Sequence, residues 1–397
     1  MRKVLVLASG TFVLGLDAYV MAGLLGPIAA DTGVSVSAAG QMVTAFTLAY
    51  AVSAPLFATV LGAARTRTVL LAALAVFTLG NALTAVAGGL VALLLSRVVA
   101  GAGAGLFSAL ASTGAAALVP PERRGRALAL VMGGMSAGTV LGVPLGVLLA
   151  DRAGWRATMW TITALGAASL LGLLAGLPEV PSGAVATARE RLAVLVDRRI
   201  APVVGVSFLA AVASLGLYTY LAPVLEAAGG VRDVTPYLWA WGAGGVAGSL
   251  AVGPLADRVG RPRAILAVIL TALAVSQALL APLAHLAAPL AALPLVLWGA
   301  VGWATQVPQQ QRLLDLGGDR HGGVAVAMNN SALYLGGAAG AALGGAALSA
   351  GLAAGVLPLA AAAVAALGLL LQLLTARTGR ASGDARVASG APLTSCR

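Results

Sequence analysis

Two charged residues stand apart from the rest of this chain. Asp17 is the one carboxylate deep in a long apolar run, and Arg97 is the one basic residue inside another. A charge at such depth in hydrocarbon costs about 3 kcal/mol or more, which makes each a functional candidate by default. Asp17 lies eight residues before the end of its run at Leu25, and Arg97 eight residues after the start of its run at Gly89. Two such runs crossing in opposite directions would hold the two at similar depth. Low dielectric favours the neutral acid, whereas a close guanidinium favours the carboxylate. A change in their separation, or an arriving substrate, then loads or releases a proton, so the chemistry expected is proton coupling. The alternatives are a static ion pair locking two helices, or a carboxylate near enough to the surface to hydrate.

Other chemistries have little to work with. Cys396 is the only cysteine, and His285 and His321 are the only histidines. An intrachain disulfide and a Cys- or His-rich metal site are therefore excluded. There is no Gly-rich phosphate loop with its lysine, and no Ser/His pair is suitably placed, so neither ATP hydrolysis nor enzymatic catalysis is expected.

The elements that position Asp17 and Arg97 follow from composition. Of 397 residues 60% are hydrophobic and 9% charged, with mean hydropathy +0.97. That is more apolar material than one soluble core can hide, whereas lipid can hide it. The net charge of +11 is spread singly or in short clusters between apolar runs. It presents no basic face to a phosphate backbone, so no nucleic-acid partner is expected. Twelve apolar segments are read at 4–25, 37–61, 68–88, 89–118, 127–150, 157–177, 201–225, 235–256, 264–283, 289–308, 323–348 and 352–375. Each is of a length to cross a bilayer as a helix. The fold class is thus an all-α polytopic membrane protein of twelve transmembrane helices in two six-helix bundles.

The N-terminal bundle spans 1–177 and the C-terminal bundle 201–376. A polar linker over 178–200 joins them, with a short surface helix expected at 188–199, and a polar, disordered tail is expected over 377–397. The run after Met1-Arg2-Lys3 mimics a signal peptide but continues past the usual length to Asp17, and is read as a retained span. With the N-terminus inside, inner segments hold 20 basic residues and outer links 3, Arg152, Arg156 and Arg232. Both termini are expected to be cytoplasmic.

The segment 127–150 carries Gly134, Gly138, Gly142 and Gly146 at every fourth position, a strip where another backbone can lie close. Pro144 interrupts it. The reading is either a tight helix contact or a bending helix at the seam of a moving protein. Gly138, Gly142 and Gly146 recur as Gly336, Gly340 and Gly344, an offset of 198; Arg65 and Arg67 recur as Arg261 and Arg263. Such a repeat is expected of secondary transporters. Gly101, Gly103 and Gly105 follow Arg97 and would thin its helix so that the guanidinium faces a cavity. Asn81, Gln277, Gln306, Asn329 and Asn330 suggest interhelical hydrogen bonds. Tyr50, Tyr218, Tyr220, Trp298 and Trp303 suit either a cavity or the interfacial belts, and Trp155, Trp160, Trp239 and Trp241 the belts. In GPLADRVGRPR, Gly253 and Gly260 permit a tight turn, and Asp257, Arg258 and Arg261 either pair there or form a solvated positive-inside turn.

These motifs resemble the major facilitator superfamily, and within it the twelve-span drug:proton antiporters, near bacterial chloramphenicol-resistance exporters. TVLGVPLGVLLADRAGWRATMW (Thr139–Trp160) looks like the antiporter motif of span five and the Gly-Trp-Arg segment after it. GLDAYVMAGLLGPIAADTGVS (Gly15–Ser35) is similar to the first-span signature, RVVAGAGAG to the span-four motif with its arginine, and GPLADRVGRPR to the cytoplasmic gate loop. The loop LGAARTRTVLL lacks the gate aspartate, so an inner charge lock is not expected in the first half. The resemblance implies pseudo-twofold bundles around a central cavity, with possible lining from Tyr50, Tyr218, Trp298, Gln306 and Asn329. It implies export of a small amphiphilic drug or antibiotic-like metabolite in exchange for protons, by a monomer in a bacterial cytoplasmic membrane. No cofactor is implied beyond the proton gradient. Proton-coupled transport of a sugar or metabolite, and a non-transporting receptor or scaffold, are the alternatives.

Overall fold

The computed structural model describes residues 1–60, 65–120, 123–180, 190, 193, 194, 196–259 and 261–388. Among them the regular structure is helical throughout, because a chain this apolar must satisfy its backbone groups within each segment. The first half comprises α1 (Arg2–Thr32), α2 (Val36–Val60), α3 (Thr66–Val86), α4 (Leu90–Ala117), α5 (Arg124–Ala137), α6 (Val143–Ala153) and α7 (Trp155–Gly176). The second comprises α8 (Ala201–Thr219), α9 (Leu221–Gly229), α10 (Thr235–Val259), α11 (Pro262–Leu286), α12 (Ala292–Ala304), α13 (Gln306–Ser349) and α14 (Leu357–Ala388). Eleven helical stretches among the described residues are long and apolar enough to cross a membrane, and they fall on eleven of the twelve segments. The eighth segment is helical as α10, but its glycines and aromatics leave it less apolar. Leu79, Val91, Leu95, Leu171, Leu250 and Leu370 are exposed, as residues facing lipid would be.

Three segments break where proline removes a donor. Pro144 cannot donate to the Val140 carbonyl, and a π-helical turn, Gly138–Gly142, separates α5 from α6 there. Pro223 cannot donate to Thr219, and the helix breaks at Tyr220, between α8 and α9. The tenth segment breaks likewise at Thr305, between α12 and α13, where Pro308 cannot donate to the Ala304 carbonyl; α13 then runs from Gln306 into the eleventh segment with no loop between, kinked at Gly318 (φ 56°, ψ −163°). The tail also departs from expectation. α14 continues to Ala388, because Ala- and Arg-rich sequence without proline sustains the helix past 376. Of the expected linker helix over 188–199, the described residues 190, 193, 194 and 196 are helical, whereas 197 is not and 198 and 199 form a turn.

The internal repeat is visible in the turns. Gly33 and Gly230 close the first spans of the two halves with φ 68° and 63°, and Gly154 and Gly351 close the fifth spans with φ 82° and 84°. It is visible in packing too. A Cβ on Gly134 or Gly138 would meet the α1 backbone at Ala8 or Phe12, and one on Gly146 would meet Val20. In the second half, Gly336 and Gly340 stand in the same way against Phe208 and Val212 of α8. The glycine strips thus face inward within their own halves, not across the seam.

The halves meet at the end that carries Gly33 and Gly351. Ser37 donates to the Gly345 carbonyl at 2.5 Å and bonds the Ser349 hydroxyl at 2.6 Å, and Gly40 lies under the Tyr220 ring. At mid-depth Tyr50 stacks on Tyr334 with centroids 3.7 Å apart, and Val140 rests on Gly242.

Candidate functional site

Asp17 and Arg97 are brought together. The carboxylate is fully buried on α1, and the guanidinium is 1% exposed on α4. Arg97 Nη1 donates to Asp17 Oδ1 at 2.9 Å and Oδ2 at 3.2 Å. A third helix completes the group. Asn81 of α3 accepts from the same Nη1 at 3.2 Å, while its amide nitrogen donates to Asp17 Oδ2 at 3.4 Å and to the Phe77 carbonyl at 3.1 Å. Phe46 of α2 covers the guanidinium, its ring centroid 4.2 Å from Cζ. Arg97 Nε has no partner among the described residues.

The glycines after Arg97 explain how four helices converge here. A Cβ on Gly101 would strike the Phe46 backbone, and one on Gly103 the Phe77 backbone; Gly80 admits Ala100 equally closely. They bring α2 and α3 onto α4 and seal the arginine, rather than opening a cavity beside it. From the sealed pair, aromatic rings lead to the seam: Phe46 lies 6.2 Å from Tyr50, which stacks on Tyr334 of the other half.

A second aromatic group fills the seam. Tyr19, two residues after Asp17, meets Tyr218 at 5.6 Å and Trp241 at 5.9 Å. Trp241 in turn meets Trp298 at 6.4 Å and Trp303 at 5.8 Å. Tyr218 and Trp298 are therefore buried against other rings in this conformation, as is Tyr50. Trp241, expected in an interfacial belt, is 2% exposed and its indole N–H has no partner. Tyr220 is buried and donates to the Ala341 carbonyl at 2.8 Å, a packing role. Trp160 is half-exposed, as a belt residue would be.

The second half repeats the arrangement without charge. Trp298 Nε1 donates to Ser214 at 2.7 Å, and Gln277 donates to the Ala213 carbonyl at 3.0 Å, its own Oε1 unpartnered. Asn329 is fully buried, and neither of its amide atoms, nor Gln306 Oε1, has a partner among the described residues. Buried polar atoms are nearly always satisfied, so such atoms mark places where a ligand, water or another conformation supplies the bond. Gln309, not singled out by sequence, bonds Ser207 at 2.8 Å.

The gate charges stand apart. Arg258 and Arg261 are exposed and form no ion pair with a described residue, because they project from the ends of α10 and α11. Gly253 is half-buried on α10; Gly260 and the Asp257 side chain lie outside the described residues.

A bundle of membrane-long helices in two related halves, with a buried acid–base pair a few rings from the seam between them, is an integral-membrane architecture suited to transport. The family model described as Major Facilitator Superfamily matches residues 7–341, and the chain belongs to that superfamily, whose members are transporters rather than enzymes and need no cofactor. The chain is 34% identical over 384 residues to the inner membrane transport protein YdhP of Escherichia coli (strain K12), covering 94% of this chain and 95% of that one. It is 36% identical over 305 residues to a chloramphenicol resistance protein of Streptomyces lividans, covering 75% and 77%. Among solved structures it is similar to a bacterial homologue of the human lysosomal transporter Spinster in an inward-facing, unoccupied conformation. That match has TM-score 0.75 at 16% identity and covers 95% and 96% of the two chains. It is also similar to a D-xylose-proton symporter, with TM-score 0.74 at 18% identity and coverage of 94% and 96%.

Proposed function

We propose that the chain is a proton-driven exporter of a small amphiphilic drug or antibiotic-like metabolite, working by alternating access in a bacterial cytoplasmic membrane with both termini inside. The observation that carries this reading is the Asp17–Arg97 pair, sealed at mid-depth and bridged by Asn81. When Asp17 takes a proton, the guanidinium loses its counter-charge but keeps the Asn81 oxygen and the Phe46 ring. When it gives the proton up, the ion pair re-forms. The rings from Phe46 through Tyr50 to Tyr334 are in continuous contact with the seam, so a shift at the pair is felt where the halves meet.

Substrate is taken by the aromatic seam around Tyr19, Tyr218 and Trp241, with the Trp241 N–H as donor and Gln306 and Asn329 as further polar contacts. Export rather than uptake is favoured by the span-five glycine motif and by the kinship with a chloramphenicol resistance protein. The inner charges Arg258 and Arg261, which form no ion pair with a described residue, would find partners when the inner face closes. The chain is expected to act as a monomer.

The test is reconstitution in vesicles with an imposed pH gradient, scored for substrate-dependent proton flux. Wild-type protein is expected to move protons when a phenicol-type drug is supplied, and Asp17→Asn to move none. Unchanged flux in Asp17→Asn would end the proposal.

A further inference from the structure

Arg312 is 7% exposed at the same end of the molecule as Arg65 and Arg67, yet it has no carboxylate within ion-pair reach among the described residues. Its Nη1 donates to the neutral Gln372 Oε1 at 2.7 Å, and its Nε, also buried, has no partner. Gln372 is 1% exposed and is itself held by donating to the Arg263 carbonyl at 3.4 Å. The Arg263 side chain acts on Arg312 as a neighbouring like charge. Asp315, one turn further along α13, is exposed and does not pair with Arg312. A buried guanidinium beside a second cation, with a donor atom left over, is costly unless an anion completes it.

The first half shows what this place holds when it is complete. Arg67, the counterpart of Arg263, donates from Nε to the Leu177 carbonyl at 2.7 Å and from Nη2 to the Leu174 carbonyl at 2.9 Å, capping the end of α7. In the second half α14 continues through the corresponding point to Ala388, keeping its carbonyls within the helix. Arg263 is thereby released from capping and is exposed beside Arg312.

We propose that Arg312, Arg263 and Gln372 form a binding site for a phosphate-bearing anion, set between α11, α13 and α14 at the inner-leaflet end of the second half. Basic pockets between membrane helices on this side are suited to anionic headgroups, and the start of α11 adds its dipole. The site is independent of the transport reading, since no residue in it belongs to the Asp17 group.

The full chain is purified in neutral detergent and placed in nanodiscs of phosphatidylcholine with or without phosphatidylglycerol. Thermal stability and retained lipid by native mass spectrometry are then measured. Phosphatidylglycerol is expected to be retained and to raise the melting temperature of wild type. Arg312→Gln and Arg263→Gln should each weaken retention about fivefold, as expected for one basic side chain near a headgroup. If inorganic phosphate added in detergent gives the same rise, abolished by the same changes, the anion site stands and its occupant is free phosphate. Should Arg312→Gln fail to fold, Arg263→Gln, at an exposed position, decides. Retention equal to wild type in the variants that fold, with no phosphate effect sensitive to them, overturns the site.

Discussion

Asn81 and Gln277 hold corresponding places in the two halves, each amide nitrogen donating to a group 64 residues earlier in the chain. For Asn81 that group is the Asp17 carboxylate; for Gln277 it is the Ala213 carbonyl. Beside them, Arg97 on Asp17 is replaced by Trp298 on Ser214. One plan has therefore been kept in both halves, with a charged version in the first and a neutral version in the second. Among the described residues, the buried ion pair at this depth lies in the first half.

Removing one member of the charged pair leaves its partner buried and alone. Asp17→Ala is expected to cost about 3–5 kcal/mol, and Asp17→Ala with Arg97→Leu less than the sum of the two single changes. Thermal unfolding of the purified variants in detergent measures this as a double-mutant cycle. Additive costs would mean that the two side chains do not support each other.

The exposed pair Asp31–Arg156 should behave otherwise. Asp31 accepts from Arg156 and from Trp155 Nε1, but the two charged side chains are 42% and 40% exposed. Arg156→Gln is therefore expected to cost under about 1 kcal/mol in the same assay. A loss as large as that of Asp17→Ala would show that Arg156 matters through its bond to the Ala87 carbonyl, which ties the α3 end to α7.

Glycine substitutions along one helix should split by neighbour. Gly138 faces the Phe12 carbonyl of α1 in direct contact, whereas Gly133 has nothing near its missing Cβ. Gly138→Ala is expected to destabilise by roughly 1–3 kcal/mol or more through overpacking, and Gly133→Ala to stabilise by up to about 1 kcal/mol. Yield and melting temperature of the two variants, compared side by side, check the contrast.

Trp241→Phe keeps a ring in the seam and deletes the buried N–H that has no partner. Stability is expected to hold or to rise by about 1 kcal/mol, since an unsatisfied donor is removed. Binding of substrate is expected to weaken, read as a higher half-saturating drug concentration in the vesicle assay. Unchanged half-saturation would take the indole N–H out of substrate recognition.

Asp17 and Arg97 were legible in the sequence because charge inside an apolar run is rare enough to be conspicuous. Their partners were not. Asn81 is one of several amides in the spans, and Phe46 one of many apolar residues, and only three-dimensional convergence distinguishes them. Trp241 is not distinguishable from a belt residue by sequence, because an aromatic near a span end looks the same whether it faces lipid or a partner bundle. The glycine period of span five was plain, but periodicity identifies a face and not what lies against it, and the face turned out to meet α1. The helical layout was legible from apolar length, except where polar sequence stays helical, as between the tenth and eleventh segments and beyond residue 376. Arg312 gave no signal, since a basic residue after a span is ordinary until its burial is known.

The widened turn at Gly138–Gly142 uses one residue more than a regular turn, so the chain beyond it is rotated by about 100° from the heading an unbroken helix would give. That rotation lets a single rod answer to two neighbours: glycines before and after the turn stay on α1, while Val140, inside it, reaches Gly242 in the opposite bundle. Straightening the rod cannot preserve both attachments. This one turn holds the fifth span against its own half and against the other at once.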